Sequence, residues 1–142
     1  MATYIEAKIF EALATKLAAL TLSPTMQVAW PNVDFTPPAS GYLRATHLPA
    51  DTRQASLGDA GLNRHIGIFQ VDVFLAEGGG ETAVKDIAGA VIAHFKRGTV
   101  LTTGGIVLKV NEPPTLGPVL KASPYIQAPV TIRYMVDAAN PS

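Results

Sequence analysis

The amino-acid sequence predicts an α+β domain: a mostly antiparallel sheet, two helices packed on one face of it, and a long arm-like connection between two strands. Three patterns carry that expectation. Apolar residues recur at helical spacing in two segments, alternation marks two long strands, and fifteen residues with neither pattern, Ala50 to Arg64, separate Pro49 from His65.

The first helix is read from Ile5, Ile9, Leu13, Leu17 and Leu20, whose spacing lines them along one side of a helix over residues 4–20. Thr3 is the expected N-cap, with Glu6 completing a capping box, and Pro24 ends whatever remains of the helix. In the second, Val84, Ile87, Ala88, Val91, Ile92 and Phe95 follow the same periodicity. Lys96 and Arg97 suit the negative end of its dipole, and Gly98 stops it.

Strands fill much of the remainder. Val28 to Trp30 starts a short strand, and the proline-rich crossing to Gly41 is irregular, with Trp30 and Phe35 packing on the core or, as the alternative, forming an aromatic-proline docking motif. Tyr42 to Leu48 reads as a strand closed by Pro49. In His65 to Ala76, Phe69, Val71, Val73 and Leu75 form one face, and Ile66, Ile68, Gln70, Asp72 and Phe74 the other. That second, semi-apolar face is what a sheet covered by a partner would carry. Thr99 to Thr102 and Ile106 to Val110 flank a glycine turn, Leu116 to Ala122 follows Pro113 and Pro114, and Tyr125 to Val136 alternates cleanly. Pro129 places this last strand at an edge or turns its nitrogen away from the ladder, and residues 138–142 form a frayed tail.

Composition narrows the function classes. The 142 residues balance 11 Lys and Arg against 11 Asp and Glu, 48% are hydrophobic and none is Cys. A chain of this length supports one core, so residues 1–142 read as a single domain. Without thiols there is no disulfide scaffold, cysteine-held zinc or Cys nucleophile. Zero net charge predicts no specific nucleic-acid binding and no membrane binding. Charged residues interrupt the apolar N-terminal pattern, no run reaches the ~20 apolar residues of a membrane span, and the expected location is inside the cell.

Catalysis requires activated groups held together, and the inventory is thin. His47, His65 and His94 are the near-neutral bases. His94 reads as a half-exposed helix-end residue, while His47 and His65 could approach across adjacent strands. Asp51 or Asp59 could join them, yet no metal-binding spacing is present, so the expectation is no metal and no cofactor. Ser23, Ser40, Ser56, Ser123 and Ser142 all stand in turns without a nucleophile elbow. Gly78-Gly79-Gly80 precedes a helix, but Glu81 occupies the site a phosphate would need, which makes the triplet a hinge.

Residues 50–64 are harder to dismiss. A connection of this length is usually functional or disordered, and here Arg53, Arg64, Asp51 and Asp59 mix with Leu57 and Leu62 among small residues. It reads as a protruding loop that docks on a neighbour, against the alternative of a hairpin extension with both leucines folded back on their own domain.

The stretches VAWPNVDFTPP (28–38), YLRATHLPAD (42–51), LGDAGLNRHIGIFQVDVF (57–74), RGTVLTTGGIVLKV (97–110) and PYIQAPVTIRYMVD (124–137) resemble tailed-bacteriophage tail terminator and tail-completion proteins related to the lambda-type terminator. The similarity spans nearly the whole chain, and its most specific piece is GLNRHIGIFQVDVF. The resemblance implies a structural virion protein, not an enzyme. Such a subunit forms a homo-oligomeric, hexameric ring that caps the tail tube, ends its polymerisation and offers a surface for head joining. Its partners would be copies of itself, the tail tube protein and a head-completion protein, and its place the virion tail, with the host cytoplasm during assembly. Arg53, Leu57, Asp59, Leu62 and Arg64 on the arm, with Ile66, Ile68 and Phe74 on the open face, are the expected interface residues. The alternatives are a tube subunit, a head-closure protein, or a small-molecule-binding or enzymatic domain using His47, His65 and Asp51.

Overall fold

The computed structural model describes residues 3–22 and 25–139. Helix α1 spans Ile5–Ala18, followed by strands β1 (Val28–Ala29), β2 (Gly41–Gln54) and β3 (Leu62–Ala76), helix α2 (Thr82–His94), and strands β4 (Val100–Thr103), β5 (Ile106–Lys109), β6 (Thr115–Leu116), β7 (Leu120–Ala122) and β8 (Tyr125–Ala139). All eight strands join one sheet in the order β1-β2-β3-β8-β5-β4, with β6 and β7 also paired to β8.

The α+β class stands, but the sheet is mixed and curled rather than a mostly antiparallel layer with both helices on one face. β1 runs parallel to β2, because the crossing over residues 30–40 returns the chain to the start of β2 before it passes Val28 and Ala29 at Leu43 and Arg44. The outer edge of β8 is divided among β7, β6 and β5 in succession, so no single straight neighbour flattens it. α1 contacts β2, β4 and β5, whereas α2 contacts β3, β8 and β6.

Both helices are held by the residues whose spacing predicts them. Ile5, Ile9, Leu13 and Leu17 of α1 and Val84, Ala88 and Val91 of α2 are buried against Phe69, Val71, Val73, Val130, Ile132 and Val136. The expected capping box is absent: Tyr4 is the N-cap, without a side-chain bond, and the Glu6 carboxylate turns to His65 instead. The helix end assigned to Pro24 lies outside the described residues.

Pro49 does not close β2. The strand passes through it and absorbs a bulge between Pro49 and Thr52, after which Thr52, Arg53 and Gln54 pair with His65, Arg64 and Asn63. Most of the expected loop is therefore hairpin. Leu116 to Ala122 splits into β6 and β7 around Gly117 and Pro118. β8 is not an edge: Pro129 faces Asp72 on one side and stands between the pairing stretches of β6 and β7 on the other, where its carbonyl accepts a 2.8 Å bond from the Gly117 N–H. Ala138 and Ala139, expected in the frayed tail, pair with Asn63 and Leu62, and residues 140–142 lie outside the described part. The turn between β4 and β5 is Gly104-Gly105, with φ of 58° and 81°, the pair of positive angles that a tight hairpin demands.

Candidate interaction surface

Alternation gives the three long strands two unlike sides. Leu43, Ala45, Phe69, Val71, Val73, Ala128, Val130 and Ile132 belong to the core, and the opposite side carries a mixed polar and apolar row on each strand.

At the lower end of this open face the rings of Tyr42 and Phe74 stack at 4.6 Å, with Tyr125 edge-on to Tyr42 at 5.4 Å and Phe35 tilted against it at 5.3 Å. The Tyr125 hydroxyl donates to the Pro38 carbonyl at 2.8 Å, pinning the proline-rich crossing over the cluster. Trp30 instead packs against the core. Phe74, an expected interface residue, is only 4% exposed, covered by Tyr42 and by Arg44, whose guanidinium lies 4.9 Å over its ring. It supports the face from beneath rather than standing on it.

Beside it Asp72 is 1% exposed, an acid placed among apolar residues. Arg44, level with it on β2, donates to its carboxylate at 3.1 Å, and Gln70 donates to the other oxygen at 2.9 Å. A buried carboxylate needs such partners, since leaving one unpaired costs several kcal/mol. Higher on the face stand Ile66 and Ile68, half-buried, with Leu48 and Met135 beside them. Glu112 and Arg133 approach to 3.7 Å.

The arm rises from this face. Arg64 and Asp137 form two bonds of 2.9 and 3.2 Å, which push the already high Arg64 pKa further up and tie the base of the arm to β8. Arg53 is level with Arg64 on the neighbouring strand. At the tip, Ser56 Oγ accepts from the Leu62 N–H at 2.6 Å, and the Gln54 side chain donates to the Ser56 carbonyl at 3.0 Å. Leu57 is 94% exposed and Leu62 43%, so neither folds back into the core, and Asp59 lies on the exposed tip between them.

The histidines do not gather around a cleft. His47 Nε2 and the Tyr134 hydroxyl are 2.7 Å apart, and its ring stacks on Phe10. Burial lowers its pKa, against a smaller opposing effect of Glu6, and the same burial raises that of Tyr134. His65 is buried, with Nδ1 3.2 Å from both Glu6 and Thr52 Oγ1. His94 Nε2 meets the Lys16 carbonyl at 2.5 Å. Asp51 is exposed on the bulge. Among the described residues, no group of three His, Cys, Asp or Glu side chains is placed to hold a metal ion. None of their helices is long and apolar enough to cross a membrane.

Sequence reasoning missed three of these contacts: Arg44 with Asp72, His47 with Tyr134, and Glu6 with His65. Asp72 in an otherwise apolar strand was the available signal, because a buried acid implies a cation at the same level of a neighbouring strand. The other two need the tertiary position of α1 and the register of β8.

The fold is a curled mixed α+β sheet with an exposed arm at one end and a mixed polar and apolar face. Residues 8–134 match the family model described as phage tail terminator protein. The chain therefore belongs to the phage tail terminator family and is a structural component of a phage tail, working among other virion proteins. Ten solved chains are similar to it. One of them is 30% identical with a TM-score of 0.77, over 94% of this chain and 96% of the other. No curated protein sequence matches.

Proposed function

We propose that the protein caps the tail tube as a homo-oligomeric, hexameric ring, ends tube polymerisation and presents the surface on which the head is joined. Family membership over residues 8–134 carries this reading. The arm and the open face agree with it. A closed ring is built from heterologous contacts, in which one flank of a subunit fits a different flank of the next, and this chain offers unlike flanks at the two ends of its sheet. Arg53, Leu57, Asp59, Leu62, Arg64, Ile66 and Ile68 supply contacts to neighbouring copies or to the tube, with Phe74 holding the face that carries the last two. The protein acts through shape and turns over no substrate. Its partners are copies of itself, the tail tube protein and a head-completion protein, and it joins the virion tail after assembly in the host cytoplasm.

The test is polymerisation of the cognate tube protein with and without this chain, followed by electron microscopy. Tubes of limited length carrying one ring at an end are expected. Tubes that grow equally long in its presence would remove the capping role, and long tubes built from the chain alone would identify a tube subunit.

A further inference from the structure

The proposed ring leaves open which two flanks meet. β4 ends one side of the sheet, and no strand among the described residues covers its outer edge. Val110 N–H donates to the Thr99 carbonyl, so by ladder alternation Leu101 and Thr103 spend their backbone groups on β5, while Val100 and Thr102 turn theirs outward. Next to this edge, a cleft of about 370 Å³ separates Val100–Thr103 from Ala12, Thr15 and Lys16 of α1 and from Ala19 just after it. Ala12, Thr15 and Ala19 are small, so the helix does not fill the space beside this edge.

At the other end, β1 pairs only with Leu43 and Arg44, so the edge of β2 beyond them is open up to the arm. Ala55 N–H donates to the Leu62 carbonyl, and the same alternation directs the backbone groups of Thr52 and Gln54 outward. Neither Val100–Thr103 nor Thr52–Gln54 contains a proline, since Pro49 precedes the bulge.

The two edges lie at one level. Following the register across the sheet, Leu101 pairs with Leu108, Leu108 with Val136, Val136 with His65 and His65 with Thr52. Extending these rows by one and two residues puts Thr102 level with Arg53 and Thr103 with Gln54. A closed ring has no rise from one subunit to the next, so flanks formed by strands that run along the ring axis meet at equal height. Four antiparallel steps separate β2 from β4, so the strands run in the same direction and would pair in parallel, as β1 already does on β2.

Lys16 lines the cleft, the Lys8 side chain lies next to Gly104, Lys96 and Arg97 lead into β4, and Lys109 is paired with Val100. None of these five cations takes part in an ion pair among the described residues. On the opposite flank Arg44 and Arg64 are matched by Asp72 and Asp137, and Asp51 stands close in sequence to Arg53.

We propose that Thr52–Gln54 of one subunit adds as a parallel strand to the β4 edge of the next copy, beside α1, so that one sheet continues from subunit to subunit. This rests on the ring reading and specifies its contact.

The chain has no cysteine, which gives a clean background for cross-linking. Thr102→Cys and Arg53→Cys are made in separate preparations, mixed, assembled, checked for rings by electron microscopy, and oxidised. Neighbouring strands hold level Cα atoms about 4.8 Å apart, within the span of a disulfide. The expected result is a mixed disulfide dimer exceeding by at least about tenfold the yield of Thr102→Cys with a control, Ala93→Cys on the exposed side of α2. Rings that form without this enrichment overturn the strand addition and leave the ring standing. Absence of both rings and enrichment overturns the two together.

Discussion

Tyr134 reaches across β3 to His47, its hydroxyl 2.7 Å from the imidazole Nε2, over a residue that has no side chain. That residue is Gly67, paired with both Tyr134 and Pro49, and a Cβ there would collide with the tyrosine hydroxyl and ring and with the Leu48 carbonyl. Glycine is required for space, since φ at this position is not in the left-handed region.

Gly67→Ala should therefore destabilise the fold by about 1–3 kcal/mol, the usual cost of overpacking. Tyr134→Phe removes the nearest clashing atom, so the alanine should cost less in that background. Urea denaturation of the four proteins of the cycle measures the coupling, and additive costs would contradict the contact.

The His47 contact also has a pH signature. Burial lowers its folded pKa below 6.5, so the unfolded chain binds the proton more readily. The stability linked to neutral His47 is complete above pH 6.5 and declines as pH falls toward the lowered folded value, with a slope of at most ~1.4 kcal/mol per pH unit. The raised Tyr134 pKa acts in the other direction: its contribution is complete below pH 10 and is lost as pH rises further. Unfolding free energies between pH 5 and 7 should lose the His47 slope in His47→Phe, which retains a ring against Phe10.

Arg44→Ala should cost about 2–3 kcal/mol. Breaking a buried pair costs more, but Arg44 is itself 48% exposed and water can partly replace it. Arg44→Lys should fall between, because both Nε and a terminal nitrogen of the arginine face the same Asp72 oxygen, and an ammonium cannot reproduce that fork. Thermal denaturation ranks the three.

The arm should separate stability from assembly. Leu57 and Leu62 make little use of the core, so Leu57→Ser with Leu62→Ser should leave unfolding free energy within about 0.5 kcal/mol of the parent while ring formation falls. If ring yield and tail length are unchanged in this variant, the two leucines are not interface residues.

Much of the secondary structure was legible because it depends on local periodicity. The apolar spacing of α1 and α2 reports their buried sides directly, and alternation reports β3 and β8. Long-range pairing was not legible. Pro49 looks like a strand end because it lacks a donor, yet a bulge lets β2 continue, and Pro129 allows either an edge or a nitrogen turned off the ladder, of which the central position of β8 removes the first. Thr3 and Glu6 have capping-box spacing, but His65, brought in from β3, takes the carboxylate.

Of the expected interface, the exposed Leu57 and the Arg53 and Arg64 arm could be read from a long mixed-charge segment between strands. That Phe74 is covered while Ile66 and Ile68 remain half-exposed depends on Tyr42, Arg44 and the crossing pinned at Pro38. By itself the sequence determined the elements, the core residues and the family resemblance, since these rest on patterns within a few turns or strands of chain. Only the tertiary structure decided the curled mixed sheet, the partners of Asp72 and His47, and the matching height of the two sheet edges, because register joins residues far apart in sequence and no local propensity encodes it.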